Sequence, residues 1–563
     1  MIAELGSRRS AGPLRYDVCI VGSGPAGITV AHELRDSGLR IVVLESGVER
    51  TTPHGDRLRE TRSDGIAIKD WSRERVLGGA STTWAGLSSP MDDVDLAPRS
   101  YLRDSGWPIG PDELSRGYEE ASERYGFPPP SAFEVRGDAG LGRLRAKGDL
   151  APAWREVDEK LFLAAAEPQD FGRDHRSTFE GEAVDLLLDA TVVELLPDAK
   201  SGDAGARVSA VRVLTADGRE ARVEARAFVL ATGGIENARL LLLSRGAWPA
   251  GLGNSRDQVG RCLMNHPKNY HGFLRFAKPV TSLPYYFGCL EGGFAGYAGL
   301  RLPTAVQRER GLLNSYVRLE PMFPWTDSQG VEALVLFVKR SSSFLRSWRR
   351  RHGGEVVELR DYSETGDDSE LQNARKSFLQ WAKLPFVVLG DLPRVLRYLR
   401  FRLGRAKPLV RRARVRNFME MEPDPENRVT LAEELDALGN PLPLVTHRCT
   451  DRDKASIAAV HDALAGELAR LGIGVLEEPL DAGAEPWPID QDASHHMGTT
   501  RMGTDPATSV CDPDLRLHEV ENVFLAGASV FPSSGCANPT YTLVALSIRL
   551  ARHLREVLGR GPR

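Results

Sequence analysis

Apolar residues near the start of the chain fall into short runs separated by glycine turns. Val18 to Val21 is a β-branched apolar run that predicts a buried strand. A Gly turn, an amphipathic helical stretch and a second apolar run ending at Glu45 follow it. Ala206 to Phe228 alternates apolar and polar positions around the Asp-Gly turn of TADGREARV, which predicts a β-meander. It leads into FVLATGGIENARLLLLS, where a strand from Phe228 to Ala231 meets Gly233 and Gly234 and a helix begins at about Glu236. Asp189 to Val193 predicts another strand. Near the end of the chain, VENVFLAGASVFP holds a short apolar strand closing at Gly527, and the apolar run Leu543 to Leu554 predicts a helix. Pro539 at or near its first position, with Thr540 and Thr542 as candidate caps, marks that helix's start.

The stretch from about 266 to 484 says less. Aromatic and Gly-rich pieces (Tyr285-Tyr286-Phe287, Gly292-Gly293-Phe294) alternate with strand-like runs such as Val331 to Lys339, which predicts a sheet of several strands. Arg394 to Arg416 is strongly basic with apolar residues interleaved. Such a segment docks on a membrane or a partner in some proteins, but here Pro408 interrupts it and no lipidation signal accompanies it, so a solvated helix at a domain edge is the favoured reading.

With 563 residues, 41% apolar and 27% charged, the chain is long enough for two or more domains. A net charge of −4 gives no argument for nucleic acid. Six cysteines without CxxC or ligand-like spacing speak against a zinc site, a cluster or a disulfide framework, and favour a reducing compartment. The N-terminus lacks an apolar core and cleavage site for export, and no run approaches a membrane span, so the expected location is cytoplasmic. No metal site is expected, since the adjacent His495-His496 pair brings no carboxylate at ligand spacing.

The first two apolar runs frame a specific motif. Gly22, Gly24 and Gly27 form G-x-G-x-x-G directly after a strand and opening a helix, the setting that a dinucleotide pyrophosphate needs. Gly22 permits the turn, Gly24 admits the backbone to the pyrophosphate, and Gly27 lets helix and strand pack closely. Glu45 closes the second strand where it would accept hydrogen bonds from adenosine ribose. From Gly78 to Gly86 every residue is Gly, Ala, Ser or Thr except Trp84, so Gly78, Gly79, Ala80 and Ser81 allow a close ligand approach.

Four blocks, VGSGPAG with Glu45, RVLGGAST, LATGGIENARLLL, and HHMGTTRMG with GASVFPSSGCANPT, together resemble the glucose-methanol-choline (GMC) oxidoreductases, FAD enzymes that oxidise alcohols. The Asn-Pro-Thr block is similar to the branch of pyranose and glycoside oxidases. The resemblance implies an α/β fold. Its discontinuous Rossmann-like FAD domain would span 14–100, 185–265 and 485–560, and its substrate domain 101–184 and 266–484, built on an antiparallel sheet covering the flavin face. Residues 1–13 are expected to be a flexible N-terminus. Residues 427–430 would open the return strand. The implied catalytic pair is His495 and Asn538. The implied FAD contacts are Gly22, Gly24, Pro25, Ala26, Gly27, Glu45, Ser46, Arg75, Gly78, Gly79, Ser81, Thr83, Trp84, Ala85, Gly86, Val192, Ala231, Thr232, Gly233, Gly527, Ala528, Pro539 and Thr540. Thr191 and Val192 would lie against adenine.

Two departures from the family pattern matter. Thr83 precedes Trp84 where pyranose oxidases often carry the His joined to the flavin, so FAD is expected to be non-covalent. Gly527 stands where relatives usually have Asp, leaving backbone N–H groups for that contact. His496 is expected to orient its loop or pack beside the flavin. His266 and His271 either line the pocket or, the favoured reading, are structural; His175, His352, His447 and His461 read as surface or core residues.

Alcohol oxidation removes a proton from oxygen and a hydride from carbon. Flavin N5 can take the hydride, a neutral imidazole at His495 suits the proton, and Asn538 would hold the substrate oxygen. The helix start at Pro539-Thr540 would stabilise negative charge growing on the flavin. The expected substrate is a sugar, glycoside or related polyol, oxidised at C2 or C3 of a pyranose, with oxygen or a quinone-like carrier as electron acceptor. The alternatives are a non-sugar alcohol in natural-product biosynthesis and a non-catalytic flavin-binding protein.

Overall fold

The computed structural model describes residues 1–7, 13–135, 152–165, 167–198, 206–281, 285, 288–289, 294–341, 378–403, 409–489 and 494–559. Two eight-stranded sheets organise it. The first runs in the spatial order Ile2–Glu4, Val184–Leu188, Ile41–Leu44, Leu14–Val21, Glu220–Leu230, Val208–Leu214 and Thr191–Pro197, with Val523–Leu525 also paired to Glu220–Leu230. Its first five strands and Val523–Leu525 pair in parallel, and the meander from Thr191 closes it antiparallel. Parallel strands are covered on both faces, which is why Val18, Ile20, Ile41, Val42 and Val43 form unbroken apolar runs and are wholly buried. The helices Pro25–Leu34 and Pro539–Gly559 pack together over this sheet. Pro111–Tyr125, in a segment assigned above to the substrate side, packs on Pro539–Gly559, with the Tyr118 and Thr542 hydroxyls 2.8 Å apart. Thr542 is therefore committed to that contact rather than to a cap.

The second sheet is antiparallel: Gly288–Cys289, Phe294–Arg301, Tyr316–Pro321, Val410–Phe418, Phe273–Val280 and Gly474–Glu477, with Asp158–Ala165 and Lys268–Asn269 paired onto it. In the register of its central pair, Tyr316 faces Phe418, Arg318 faces Arg416 and Glu320 faces Arg414. Cross-strand partners share a face, so aromatic and charged residues line one side of the sheet, while Val317, Leu319 and Val415 pack the core on the other. Arg428–Leu435, the expected return strand, forms a hairpin with Pro441–His447, to which Arg62–Gly65 adds in parallel.

Three expectations are corrected. The N-terminus is not free throughout 1–13: Ile2–Glu4 pairs with Leu186–Leu188 and Leu5 is buried, because the edge of the parallel sheet offers unpaired backbone groups there; residues 8–12 lie outside the described residues. Val331 to Lys339 belongs to a helix, Gln329–Ser341. Its β-branched residues give way to tertiary packing against the helix Phe378–Gly390, and Ser328 Oγ accepts from the Val331 N–H at the helix start. The basic segment Arg394 to Arg416 is not one helix: Leu392–Leu403 is helical, Pro408 lies outside the described residues, and Val410–Phe418 is a central strand whose Arg416 is buried beside Glu320. Tyr286, Phe287, Gly292, Gly293 and His352 also lie outside the described residues.

Candidate active site

A cavity of about 400 Å³, open at its mouth, runs from the glycine turn of the parallel sheet to the aromatic and charged face of the antiparallel one. At its parallel-sheet end it is lined by Gly22, Gly24, Pro25, Ala26, Glu45, Ser46, Arg75, Val192, Ala231, Thr232 and Gly233. Gly79, Ser81, Thr83, Trp84, Ala85 and Gly86 form one wall, and Gly527, Ala528, Pro539 and Thr540 another. His495 and Asn538 line it as well. Two residues expected with them do not reach the cavity. A side chain at Gly27 would sit 2.0 Å from the Gly22 carbonyl oxygen, and one at Gly78 would sit 2.9 Å from the Gly172 nitrogen. Both glycines are required by close packing of backbone on backbone.

Each wall is held in place by its own hydrogen bonds. Glu45 accepts from the Ser23 N–H at 3.0 Å, the Ser23 hydroxyl at 2.6 Å and the Gly47 N–H at 2.8 Å, locking the strand end against the glycine turn. Gly22 adopts φ +101°, and a Cβ there would meet the Ala231 carbonyl oxygen at 2.6 Å, so the turn requires glycine. Glu236, at the start of its helix, is ion-paired to Arg73, Arg75 and Arg239. Burial opposes ionisation of Glu236, but the three guanidiniums hold its carboxyl well below the usual range.

The histidines form a connected set. Asn265, wholly buried, accepts the His495 N–H on Oδ1 at 2.8 Å and directs its Nδ2 to His496 Nδ1 at 3.4 Å. His496 Nε2 then donates to Ser72 Oγ at 3.0 Å, since that hydroxyl is committed to the Lys69 carbonyl. His266 Nε2 lies 2.8 Å from the Gly535 carbonyl oxygen, which can only accept, so Nε2 carries the proton. His266 Nδ1 is therefore a lone pair. His495 Nδ1, 2.9 Å away with the two rings perpendicular, must donate to it. That leaves Nε2 of His495 as the unprotonated nitrogen. Burial brings the His266 pKa down to about 4 and the His496 pKa to about 3; burial, then His266 and Lys268, lowers that of His495 well below 6.5. All three rings are neutral at pH 7. His266 thus lines the cavity rather than serving only the core, whereas His271 does not reach it. Among the described residues nothing holds the Asn538 amide, which leaves it for a ligand.

The loop carrying Asn538 is clamped from below. The Gly535 N–H donates to Glu420 at 3.2 Å, and Glu420 forms a bidentate pair with buried Arg99 at 3.1 and 2.7 Å. The Ser533 hydroxyl donates to the Asp95 carbonyl at 2.6 Å.

A family profile described as "GMC oxidoreductase" matches residues 423–547, and one described as "FAD binding domain" matches residues 15–66. The fructose dehydrogenase large subunit of Gluconobacter japonicus is 24% identical over 97% of this chain and 99% of that protein. C-glycoside 3-oxidase of Arthrobacter globiformis is 39% identical over 136 residues, 24% of this chain and 25% of that one. A crystal structure of formate oxidase aligns over 97% of this chain and 99% of its own with a TM-score of 0.54 at 17% identity, which speaks to fold alone. The chain is a GMC oxidoreductase. It has the α/β GMC fold, with a parallel FAD sheet and an antiparallel substrate-side sheet, and belongs to the enzymes acting on CH–OH groups.

The residues of this GMC oxidoreductase fit FAD. A Cβ at Gly24 or Gly233 would meet nothing within 4 Å among the described residues, and one at Gly527 only Ala26 at 3.9 Å, so all three leave space that a ligand can occupy. The buried Thr191 hydroxyl, at the expected adenine position, has no protein partner among the described residues. Gly24→Val tests the fit: with nothing among the described residues within 4 Å of a Cβ there, the variant is expected to keep its thermal stability yet purify with little or no flavin, read from the flavin-to-protein absorbance ratio. Full flavin content would place the pyrophosphate elsewhere.

Sequence reading missed Asn265, Lys268 and Arg318 as cavity or scaffold residues. The MNHPK segment stands out in the sequence only through its histidine, and the pairing of His266 with His495 depends on a contact between segments 229 positions apart. Arg318 is brought to the cavity by strand register, which single-sequence patterns do not reveal.

Proposed function

We propose that this enzyme oxidises a secondary hydroxyl of a pyranose or glycoside, at C2 or C3, to a ketone, with FAD held non-covalently. FAD, when bound, supplies the hydride acceptor. His495 Nε2 takes the hydroxyl proton, and Asn538 holds the substrate oxygen so that the carbon keeps one orientation. The start of the helix at Pro539 turns its N–H groups and partial positive charge toward the cavity, where they favour developing negative charge. The observation that carries this reading is the proton order along Gly535, His266 and His495, which leaves a neutral imidazole nitrogen as the base.

The sugar assignment is supported by the likeness to C-glycoside 3-oxidase over the matched 136 residues. It is supported too by a wall of Tyr297, Tyr316 and Phe418, since apolar faces of pyranose rings pack well on aromatics. Lys268 and Arg318 line the same end, and Glu320 is shared by Arg318, Arg414 and Arg416. Burial, with repulsion from Arg318 behind it, lowers the Arg416 pKa. This cationic wall favours a neutral or acidic sugar over a polyamine one. Non-covalent binding is favoured by Thr83 ahead of Trp84. The electron acceptor is proposed to be oxygen or a quinone-like carrier.

Anaerobic mixing of the yellow enzyme with monosaccharides, glycosides and aminocyclitols, with product position assigned by NMR, tests the proposal. Flavin bleaching with a 2- or 3-ketopyranose as product supports it; bleaching by non-sugar alcohols alone would refute it. A pH series adds a second check. Because the His495 proton is disfavoured in the folded enzyme, its base form persists as pH falls, so the acid limb of the bleaching rate should lie well below pH 6.5. An acid limb at 6.5 would mean that a solvated histidine does the work.

A further inference from the structure

We propose that the face formed by the helices Phe378–Gly390 and Leu392–Leu403 docks this protein on a bilayer surface rich in anionic lipid. Leu392, Leu396, Leu399 and Leu403 recur every three or four residues along the second helix and so share one stripe. Leu392, Leu396 and Leu403 are 41%, 56% and 85% exposed, so the stripe faces outward. The end of the first helix adds Phe386 at 74% and Leu389 at 63% exposure. Single exposed leucines are ordinary on a protein surface, but a contiguous apolar face marks an interaction site.

These helices are seated correctly on their other side. Leu384 and Val395 are buried, the Phe401 ring stacks on Trp325 at 5.1 Å, and the Ser328 hydroxyl donates to Asp391 at 2.5 Å. The outward leucines are thus the outer face of a packed pair, not a core turned inside out.

Charge identifies what covers them. At 3.6 residues per turn, Arg397 and Arg400 flank the leucine stripe on one side and Arg402 flanks it on the other. From Phe378 to Leu403 the sequence holds Lys383, Arg394, Arg397, Arg400 and Arg402 against one acid, Asp391, in a chain of net charge −4. A second copy pairing through the same face would set arginine rim against arginine rim. An anionic headgroup layer instead meets the guanidiniums at the border while the leucines enter the acyl boundary. Among the described residues no helix is long and apolar enough to cross a membrane, so the contact is at the surface.

The test is flotation of the FAD-loaded full chain with vesicles of phosphatidylcholine alone or mixed with phosphatidylglycerol. The wild type is expected to float with the mixed vesicles and roughly tenfold less with the neutral ones. A variant with Phe386→Ser, Leu389→Ser, Leu396→Ser and Leu403→Ser, and a second with Arg397→Gln, Arg400→Gln and Arg402→Gln, should each lose roughly tenfold or more of that partitioning. Both should keep wild-type flavin content and flavin bleaching, since none of these residues lines the cavity. Wild-type protein that stays unbound, or variants that float as well as it does, would overturn the proposal. So would light scattering that shows a dimer which the serine variant converts to monomer.

Discussion

His495→Ala is expected to purify yellow and folded, and to bleach with substrate roughly a hundredfold to ten-thousandfold more slowly than the wild type, the range typical of losing a general base. The ring contributes no backbone support: His495 is anchored through its own N–H to Asn265, a contact that alanine keeps. Flavin content therefore separates loss of chemistry from loss of the site. Anaerobic stopped-flow mixing at saturating sugar reads the effect. An unchanged bleaching rate would remove His495 from the reaction.

His266→Phe is the second large effect. The benzene ring fills similar space but cannot accept the Nδ1 proton of His495, so the neutral imidazole is free to place its proton on either nitrogen and to rotate. Loss of the correct tautomer in a comparable histidine-based site costs up to about 10⁴ in kcat. Here a drop of roughly tenfold to a thousandfold in bleaching rate is expected, carried in kcat rather than KM. His266→Gln, whose amide oxygen can take the same proton, should recover part of it. A merely structural role would show instead as a lowered melting temperature and lost flavin in both variants, with no rescue by glutamine.

Much of the cofactor side was legible in the chain because close approach of backbone to a ligand leaves glycine as the only residue that fits. Gly24 and Gly233 stand out for that reason, Gly22 and Gly79 for turns with positive φ, and each lines the cavity. The terminal acid Glu45 and the helix start at Pro539 were legible from local punctuation. What was not legible depends on pairing between distant segments. The Arg318 to Arg416 register, the Asn265 bracket under both histidines and the Glu420 to Gly535 clamp have no local signature. The helix Gln329–Ser341 reads as a strand in the sequence because Ala333 to Val338 is a consecutive apolar run containing two valines. The basic segment after Arg394 joined two unlike elements, and nothing short of solvent exposure shows that its leucines face outward.

The most direct test of the central claim is a crystal structure of the FAD-loaded enzyme with a non-reacting sugar analogue bound. The account predicts the sugar hydroxyl within about 3 Å of His495 Nε2, with Nδ1 still on His266 and the Asn538 amide on the same oxygen. A hydroxyl placed away from both side chains, or a His495 ring turned so that Nδ1 faces the sugar, would contradict it.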